Sequence, residues 1–212
     1  MSEPVTAEVI VLKLTPYRES ALVAAGLSPE YGRMDMVAHG ARKSDGKDFP
    51  VLDLYRHLAV TFVPPRQGGE LGTVREMELV NAFPDLARRM ENLEFMAKVG
   101  RFLLRNTVPD SPQPMTFDAL RNLLEALNGT GGGWSPRQCA ILIKLTFLYE
   151  NGVLPEPSGM ADADAEKLSA LYERLIECAI SGDAFPRLSA GYCAQFDQYL
   201  NSLISSAQLH WS

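Results

Sequence analysis

The spacing of apolar residues changes near residues 81–84, and this change is the strongest constraint on the fold. Before it, short apolar runs rich in β-branched residues are separated by glycine and proline, a pattern typical of strands. After Pro84 the apolar residues recur every three or four positions, which predicts helices. Strands and helices in separate segments favour an α+β protein, with domains at residues 1–82 and 83–212.

The first eighty residues contain five candidate strands. They cover residues 7–14, 21–29, 33–39, 54–63 and 70–80. No helix strong enough for a parallel crossover lies between them, so an antiparallel barrel is favoured. The OB-fold is the five-stranded barrel that most commonly binds ligands on an open face. We therefore predict an N-terminal five-stranded antiparallel OB-fold barrel followed by an all-helical C-terminal domain.

The helical segment begins with apolar residues at helical spacing from Leu86 to Leu104, which predicts one helix of about twenty residues. Thr116 is the predicted N-cap of a second helix. Ser135-Pro136-Arg137-Gln138 has the residue types of a capping box with proline at the first helical position. The third helix, which follows, is apolar around nearly its whole circumference, so we expect it to form the buried centre of the domain.

The third predicted strand has one apolar face formed by Met34, Met36 and Ala38. Gly40 ends this strand, and a polar loop with several cations follows. Cations can bind nucleic-acid phosphates, since binding releases the counterions of the phosphate backbone. The candidate phosphate-binding residues are Arg33, His39, Arg42 and Lys43, with Arg18 and Lys47 as secondary candidates. The same side chains could equally be solvated surface charges, because a nucleic-acid footprint is usually clearly basic.

The charge of the whole chain argues against a protein that simply coats nucleic acid. Its 20 Lys and Arg residues and 26 Asp and Glu residues give a formal net charge of −6. The acidity is concentrated in residues 150–212, which hold three Lys or Arg residues and nine Asp or Glu residues. Local basic patches are therefore still compatible with the rest of the chain.

Several classes of function are disfavoured by the sequence. Cys139, Cys178 and Cys193 are widely spaced and form no CxxC pair, so we expect buried free thiols and no bound metal or other cofactor. No nucleophile or acid–base motif is evident, which argues against an enzyme. No apolar run approaches the roughly 20 residues of a membrane span, and the N-terminus lacks the regions of a signal peptide. We expect a cytoplasmic protein that does not bind a membrane.

Aromatic and basic residues outside the third strand suggest two further contacts. Tyr17, Tyr31 and Tyr55 are candidates for base stacking, and each is equally suited to core packing. In the helical domain, apolar walls beside a cation would suit an acidic, hydrophobic peptide. The cations available there are Arg88, Arg89, Lys98, Arg101, Arg105, Arg121, Arg137 and Lys144. Glu19 and Arg137 could instead form structural ion pairs.

Five segments of the first eighty residues share one family resemblance: residues 11–12, 16–20, 28–33, 37–43 and 75–78. In order and spacing they resemble the N-terminal domain of the bacterial RecO recombination-mediator family. Arg137, the apolar helix after it and residues 150–156 are similar to the family's central helix and the turn that follows it. Two features depart from the family: no four-cysteine zinc module follows residues 151–157, and residues 188–212 contain no Lys or Arg.

The resemblance implies an OB-fold joined to a helical domain, without catalytic activity. It also implies binding of single- and double-stranded DNA, annealing of complementary strands, and recombinase loading at the nucleoid with RecR and the C-terminal tail of single-strand-binding protein. His39 stands where the family usually has Lys, and histidine is mostly uncharged at neutral pH. The alternative, consistent with the net charge of −6, is a degenerate relative that serves as a protein–protein adaptor with little DNA affinity.

Overall fold

The computed structural model describes residues 3–41, 49–65, 71–131, 133–155 and 162–211, with the backbone alone for residues 162–164. The five strands are β1 (Val5–Tyr17), β2 (Ala21–Ser28), β3 (Gly32–Ala38), β4 (His57–Val63) and β5 (Gly72–Asn81). A 3₁₀ turn at Leu86–Arg88 precedes α1 (Met90–Asn106), α2 (Pro114–Asn128), α3 (Pro136–Glu150), α4 (Asp162–Ser181) and α5 (Ala190–Ser206). The predicted order of strands followed by helices is confirmed.

The five strands form a closed barrel in the order β1-β2-β3-β5-β4, and β4 pairs with β1. Every neighbouring pair is antiparallel except β3 and β5, which are parallel where Met36 meets Gly72 and Val37 meets Thr73. A closed ring with an odd number of strands cannot alternate direction at every step, so at least one pair must be parallel. The predicted barrel of the OB type is confirmed, and a parallel pair closes it.

Apolar side chains from all five strands fill the barrel. Those of β3 are Met34, Met36 and Ala38, as the alternation of the sequence predicts. The residues that alternate with them on β3, including Arg33 and Asp35, therefore face outward. The other buried members of this core are Ala7, Val9, Val11, Ala24, Leu58, Val60, Phe62 and Val74.

The chain divides into two compact units. The barrel unit comprises Met1–Phe83 and Gly100–Phe117, and the helical unit comprises Pro84–Val99 and Asp118–Ser212. The contiguous domains expected from the sequence, residues 1–82 and 83–212, differ from these units in the assignment of Phe83 and of Gly100–Phe117. Sequence periodicity identifies a residue as helical but does not report which core its side chain joins, so the domain boundary itself stays a prediction.

Within the barrel unit, residues 108–113 lie along the turn between β2 and β3. Gly32 adopts φ +63°, a left-handed conformation that favours glycine. A Cβ atom on Gly32 would lie 2.9 Å from the carbonyl oxygen of Val108 and closer still to that of Ser111. The backbone hydrogen bonds of this contact run from Arg33 N–H to Val108 O (3.3 Å), from Asp110 N–H to Tyr31 O (2.9 Å) and from Gln113 N–H to Pro29 O (2.9 Å).

The first predicted helix is interrupted. A 3₁₀ turn ends at Arg88, the backbone of Arg89 is extended, and α1 begins only at Met90. Leu86 in the turn is buried, so it keeps the apolar spacing that predicted a continuous helix. Apolar residues three or four positions apart are equally compatible with a helix and with a turn followed by a helix, which is why the spacing did not reveal the break.

The second helix begins three residues before the position expected from the sequence, since an N-cap at Thr116 would make residue 117 the first helical residue. Its first residue is Pro114, and the predicted N-cap, Thr116, is buried inside the helix. Proline suits a first helical position because the N–H it lacks would have no helical partner there. The first helical hydrogen bond runs from Phe117 N–H to Gln113 O at 2.9 Å. The prediction of Thr116 as the N-cap was therefore wrong.

The third helix, α3, is the centre of the helical unit, as predicted. Ser135 Oγ accepts from Gln138 N–H at 3.4 Å, and Ser135 N–H donates to Gln138 Oε1 at 2.7 Å, so the capping box is confirmed. Every residue from Cys139 to Leu148 is buried, and α3 packs against both α4 and α5. A helix buried on all sides accounts for its nearly continuous apolar sequence.

The three cysteines are free and buried, as expected from their spacing. Burial raises the pKa of the Cys139 thiol from 9.0 to about 12 and that of the Cys178 thiol to about 11. Cys178 also donates to the carbonyl oxygen of Asp183 at 3.3 Å.

Among the described residues, no group of three or more His, Cys, Asp or Glu side chains is placed to hold a metal ion. No described helix has the length and apolar content to cross a bilayer.

Substitution Gly32→Ala is expected to lower the free energy of unfolding by at least about 3 kcal/mol, because it adds a close backbone contact to the cost of a left-handed alanine. Gly129→Ala is the matched control, since Gly129 has φ +81° and open space around its Cβ position. This control should lose only about 1 kcal/mol. Urea unfolding followed by circular dichroism measures both variants, and equal losses would contradict the contact at Gly32.

The raised pKa of Cys178 predicts a loss of stability at alkaline pH. Its contribution is complete below pH 9.0, where the thiol is neutral in both states, and is lost as the pH rises through about 11. Cys178→Ser should retain a donor to Asp183 O without ionising in this range. Urea unfolding under reducing conditions should show the wild type losing stability relative to Cys178→Ser between pH 9 and 11. A pH-independent difference between the two proteins would contradict the shift.

Candidate nucleic-acid interface

The candidate site lies on the outer surface of β1, β2 and β3, at one end of these strands. Tyr17 at the end of β1 is paired with Ala21 at the start of β2. Leu22 is paired with Ala38 at the end of β3. His39, the residue after Ala38, therefore comes beside Ala21 and in the same row as Tyr17. The register thus brings the β1–β2 turn and the end of β3 together.

Five side chains of this outer face define the surface that we call the open sheet end. Thr15, Tyr17, Arg18 and His39 lie at the end itself, and Lys13 lies further along β1, in the row of Ala25 and Asp35. Tyr17 is partly exposed and the other four are exposed. The guanidinium of Arg18 lies 5.1 Å from the centroid of the Tyr17 ring, a cation–π distance. Cations beside an accessible aromatic ring are the combination that binds single-stranded nucleic acid through phosphates and base stacking.

Lys13 belongs to this surface and was missed by the sequence prediction. It alternates along β1 with Thr15 and Tyr17, while Leu14 between them packs against the barrel core. The alternation was visible in the sequence, but the role of Lys13 depends on which strands lie beside β1. Only the strand order places Lys13 on the same face as His39.

Arg33 lies at the other end of β3 and is engaged within the barrel unit. Its Nε and Nη2 donate to the carboxylate of Asp35 at 2.8 and 3.3 Å, and its Nη1 donates to Leu104 O at 2.9 Å. The side chain of Arg33 is 37% exposed and that of Asp35 is 18% exposed. Because Asp35 offsets the charge and three of the five guanidinium N–H groups are in use, Arg33 is poorly placed to add a phosphate contact.

The predicted site residues are thus divided in space. Arg33 and His39 are six residues apart on one strand, which separates them by about 20 Å. The structure brings Arg18 and His39 to the same end of the sheet. The remaining predicted residues, Arg42, Lys43 and Lys47, lie outside the described residues.

Only one of the three candidate tyrosines is at the open sheet end. The ring of Tyr31 packs edge-on against Phe62 with centroids 5.7 Å apart. Tyr55 is 9% exposed, and burial raises the pKa of its phenol. Tyr17 is therefore the candidate whose position fits base stacking.

Lys144, a candidate cation of the predicted peptide groove, is instead buried in the helical unit. Its side chain is 1% exposed, and its Nζ donates to Asp197 Oδ1 and Asn201 Oδ1, both at 2.7 Å. The ammonium lies 4.2 Å from the centroid of the Trp211 ring. Burial lowers the pKa of Lys144, and the hydrogen bond to Asp197 opposes that shift. Lys144 therefore joins α3 to α5 and is not available to a peptide.

The other basic residues proposed for a peptide groove are more accessible. Arg88 pairs with Asp85 at 2.9 Å, and Arg121 pairs with Asp118 at 2.9 Å. The exposed members of the set are Arg88, Arg89, Lys98, Arg101, Arg105 and Arg137. Their exposure alone does not show which of them would line a peptide-binding groove.

Comparisons with known proteins point to one family. Residues 1–83 match the family model described as "Recombination protein O N terminal". A "DNA repair protein RecO" of Listeria monocytogenes serotype 4a is 27% identical over 180 residues, which cover 83% of this chain and 60% of that protein. The protein of the same name in Bacillus subtilis is 25% identical over 149 residues, which cover 70% of this chain and 56% of that protein.

A third relative extends the comparison to another genus. A "DNA repair protein RecO" of Geobacter metallireducens is 28% identical over 126 residues, which cover 59% of this chain and 50% of that protein. The matches therefore span about half to three-fifths of the length of these relatives.

Removal of the carboxylate that pairs with Lys144 should destabilise the helical unit. Asp197→Ala leaves a buried ammonium without its counterion, and we expect a loss of about 3 kcal/mol, reduced somewhat because Asp197 is 24% exposed. Asp118→Ala, which breaks the more exposed pair with Arg121, should lose less than about 1 kcal/mol. Lys144→Met should lose less than Asp197→Ala because it buries no unpaired charge. Urea unfolding compares all three, and equal losses for the two aspartate variants would refute the burial argument.

Proposed function

We propose, on the premise that this chain belongs to the RecO family, that it is a DNA-binding mediator of recombination and repair. The observation that carries the proposal is the family match over residues 1–83, which include all five strands of the barrel and the open sheet end. Proteins bearing the family name are described as DNA repair proteins. The role is one of binding and positioning strands, and it requires no catalytic group.

The open sheet end supports this role by its charge and shape. Lys13 and Arg18 offer cations there, and Tyr17 offers a partly exposed ring. The other predicted cations, Arg42, Lys43 and Lys47, follow His39 in the sequence. Arg33 belongs to the opposite end of β3.

The contact set that we propose is Lys13, Arg18, His39, Arg42, Lys43 and Lys47, with Tyr17 as a stacking platform. Contacts to phosphate and to the faces of bases do not depend on sequence, which suits a protein that binds many strands. Neutralised phosphates also reduce the repulsion between two complementary strands, which favours annealing. Binding of both single- and double-stranded DNA follows from the same phosphate contacts.

The partners that we propose are RecR and the acidic C-terminal tail of single-strand-binding protein. Exposed arginines such as Arg88, Arg89 and Arg137 could attract such a tail by charge. The protein would then bring recombinase to strands coated by single-strand-binding protein, at the nucleoid in the cytoplasm. Lys144 takes no part in this contact because it is buried.

A fluorescence-anisotropy titration of labelled single-stranded oligonucleotide tests the proposed interface. About three phosphate contacts should give a slope of roughly −2 when the logarithm of affinity is plotted against that of salt concentration. The variant with Arg18→Ala, Arg42→Ala and Lys43→Ala should bind more weakly at low salt, with a shallower slope. Arg75→Ala removes an exposed cation of β5 and is the matched control, with unchanged binding expected.

Arg33→Ala tests whether Arg33 stabilises the barrel unit or contacts DNA. Urea unfolding measures its effect on stability, and the same anisotropy titration measures its effect on DNA affinity. Because Arg33 is bound to Asp35 and Leu104 O, we expect this variant to lose stability more than DNA affinity. Unchanged DNA binding in the triple variant would refute the proposed contact set.

The net charge of −6 favours a second candidate function, that of a protein–protein adaptor with little DNA affinity. The two functions make opposite predictions for a parallel titration with a labelled peptide of the single-strand-binding protein tail. An adaptor would bind the peptide or RecR and show no oligonucleotide binding even at low salt. A mediator would bind both DNA and the peptide.

A further inference from the structure

The helical unit contains a cavity that the proposed DNA function does not use. It has a volume of about 310 Å³ and lies between the end of α3 and one face of α4. This volume is at the lower end of the ~300–1,000 Å³ range of ligand pockets, which suits one side chain better than a large cofactor. The lining residues are Tyr149, Gly152, Leu154, Pro155, Ser169, Tyr172 and Glu173.

Two tyrosines form the aromatic part of the lining. Tyr149 is 50% exposed although the ten residues of α3 before it are buried, so its ring stands at the opening. Tyr172 is 7% exposed, and its hydroxyl donates to the Tyr199 hydroxyl at 3.1 Å, which fixes its ring. A rigid ring and an accessible ring give a cation two faces that carry negative electrostatic potential.

Among the residues that the structure describes, Glu173 is the only carboxylate of the lining, and no Lys or Arg lines the cavity. The two basic residues of α4, Lys167 and Arg174, are not among the lining residues. The cavity also lies beside the C-terminal end of α3, where the helix dipole is negative. The lining therefore attracts a positive group and repels a phosphate or a carboxylate.

Apart from Ser169, the remaining side chains of the lining are apolar. Leu154 and Pro155 lie in the turn after α3 and add hydrocarbon surface beside the tyrosine rings. A small inorganic cation would leave that surface without a partner. An arginine side chain matches both parts, because its aliphatic stem covers apolar surface while its planar guanidinium stacks on aromatic rings and pairs with a carboxylate.

We propose that this cavity binds an arginine side chain of a partner protein, with the guanidinium between the tyrosine rings and Glu173. The charge of the surrounding chain supports a basic partner, since residues 150–212 hold nine Asp or Glu residues and three Lys or Arg residues. The cavity belongs to the helical unit, whereas the open sheet end, which is suited to an anion, belongs to the barrel unit. One chain thus carries one surface for DNA and another for a basic protein segment.

The test uses the full chain and the peptide acetyl-Gly-Arg-Gly-amide as the probe, titrated by NMR with resonances of Tyr149, Gly152 and Glu173 as reporters. The peptide should shift these resonances in a saturable manner, and acetyl-Gly-Glu-Gly-amide should not. Tyr149→Ala should weaken binding about two- to fivefold, as expected for an accessible cation–π contact. Glu173→Gln should weaken it by a similar factor.

Two control variants test whether the loss of affinity is specific to residues of the cavity. Glu177→Gln removes an exposed carboxylate one turn further along α4, and Tyr192→Ala removes a tyrosine of α5 that is 41% exposed. Both should bind the arginine peptide as the wild type does. The proposal is overturned if the glutamate peptide binds equally well, if neither Tyr149→Ala nor Glu173→Gln changes the affinity, or if an oligonucleotide shifts the same resonances, which would make the cavity a nucleic-acid site.

Discussion

Closure of a barrel with five strands is the constraint on which the barrel unit depends. Because an odd ring cannot alternate direction throughout, at least one neighbouring pair must be parallel, and in this barrel that pair is β3 and β5. Closure also sets which side of each strand faces the core, since side chains alternate along a strand. Met34, Met36 and Ala38 are thereby turned inward, and Arg33, Asp35 and His39 are turned outward. The packing of the apolar side chains in the barrel core therefore determines which polar side chains are displayed on its outer surface.

The stretch from Tyr31 to Arg33, part of the segments that resemble the RecO family, has a structural role in this protein. Gly32 allows residues 108–113 to lie against the turn, and Arg33 joins β3 to Asp35 and to Leu104 O. In the sequence, Gly32 and Arg33 resemble part of a binding loop. In the structure, both residues make contacts within the barrel unit. Arg18 and His39, which we propose as DNA contacts, lie instead beside the opposite end of β3.

The helical unit is organised around α3 and its buried Lys144. An ammonium in an apolar core is tolerated because Asp197, Asn201 and the ring of Trp211 surround it. The same helix ends at Tyr149, whose exposed ring lies at the cavity. Lys144 and Tyr149, five positions apart on α3, therefore differ in accessibility: Lys144 is buried and Tyr149 is exposed. The difference depends on which helices pack against each position, and the sequence of α3 alone does not show this.

Local interactions were readable from the sequence, because periodicity, capping residues and alternation act between residues a few positions apart. They determined the five strands, the helical second half, the capping box at Ser135 and the inward face of β3. They missed the break at Arg89 and the start of α2 at Pro114, since a similar apolar spacing fits both arrangements. Only the tertiary structure decided that Arg33 and Lys144 are engaged, that Lys13 shares a face with His39, and that Tyr149 lines a cavity. The physical reason is that these properties depend on residues distant in sequence, and register, burial and counterions are fixed only when the strands close and the helices pack.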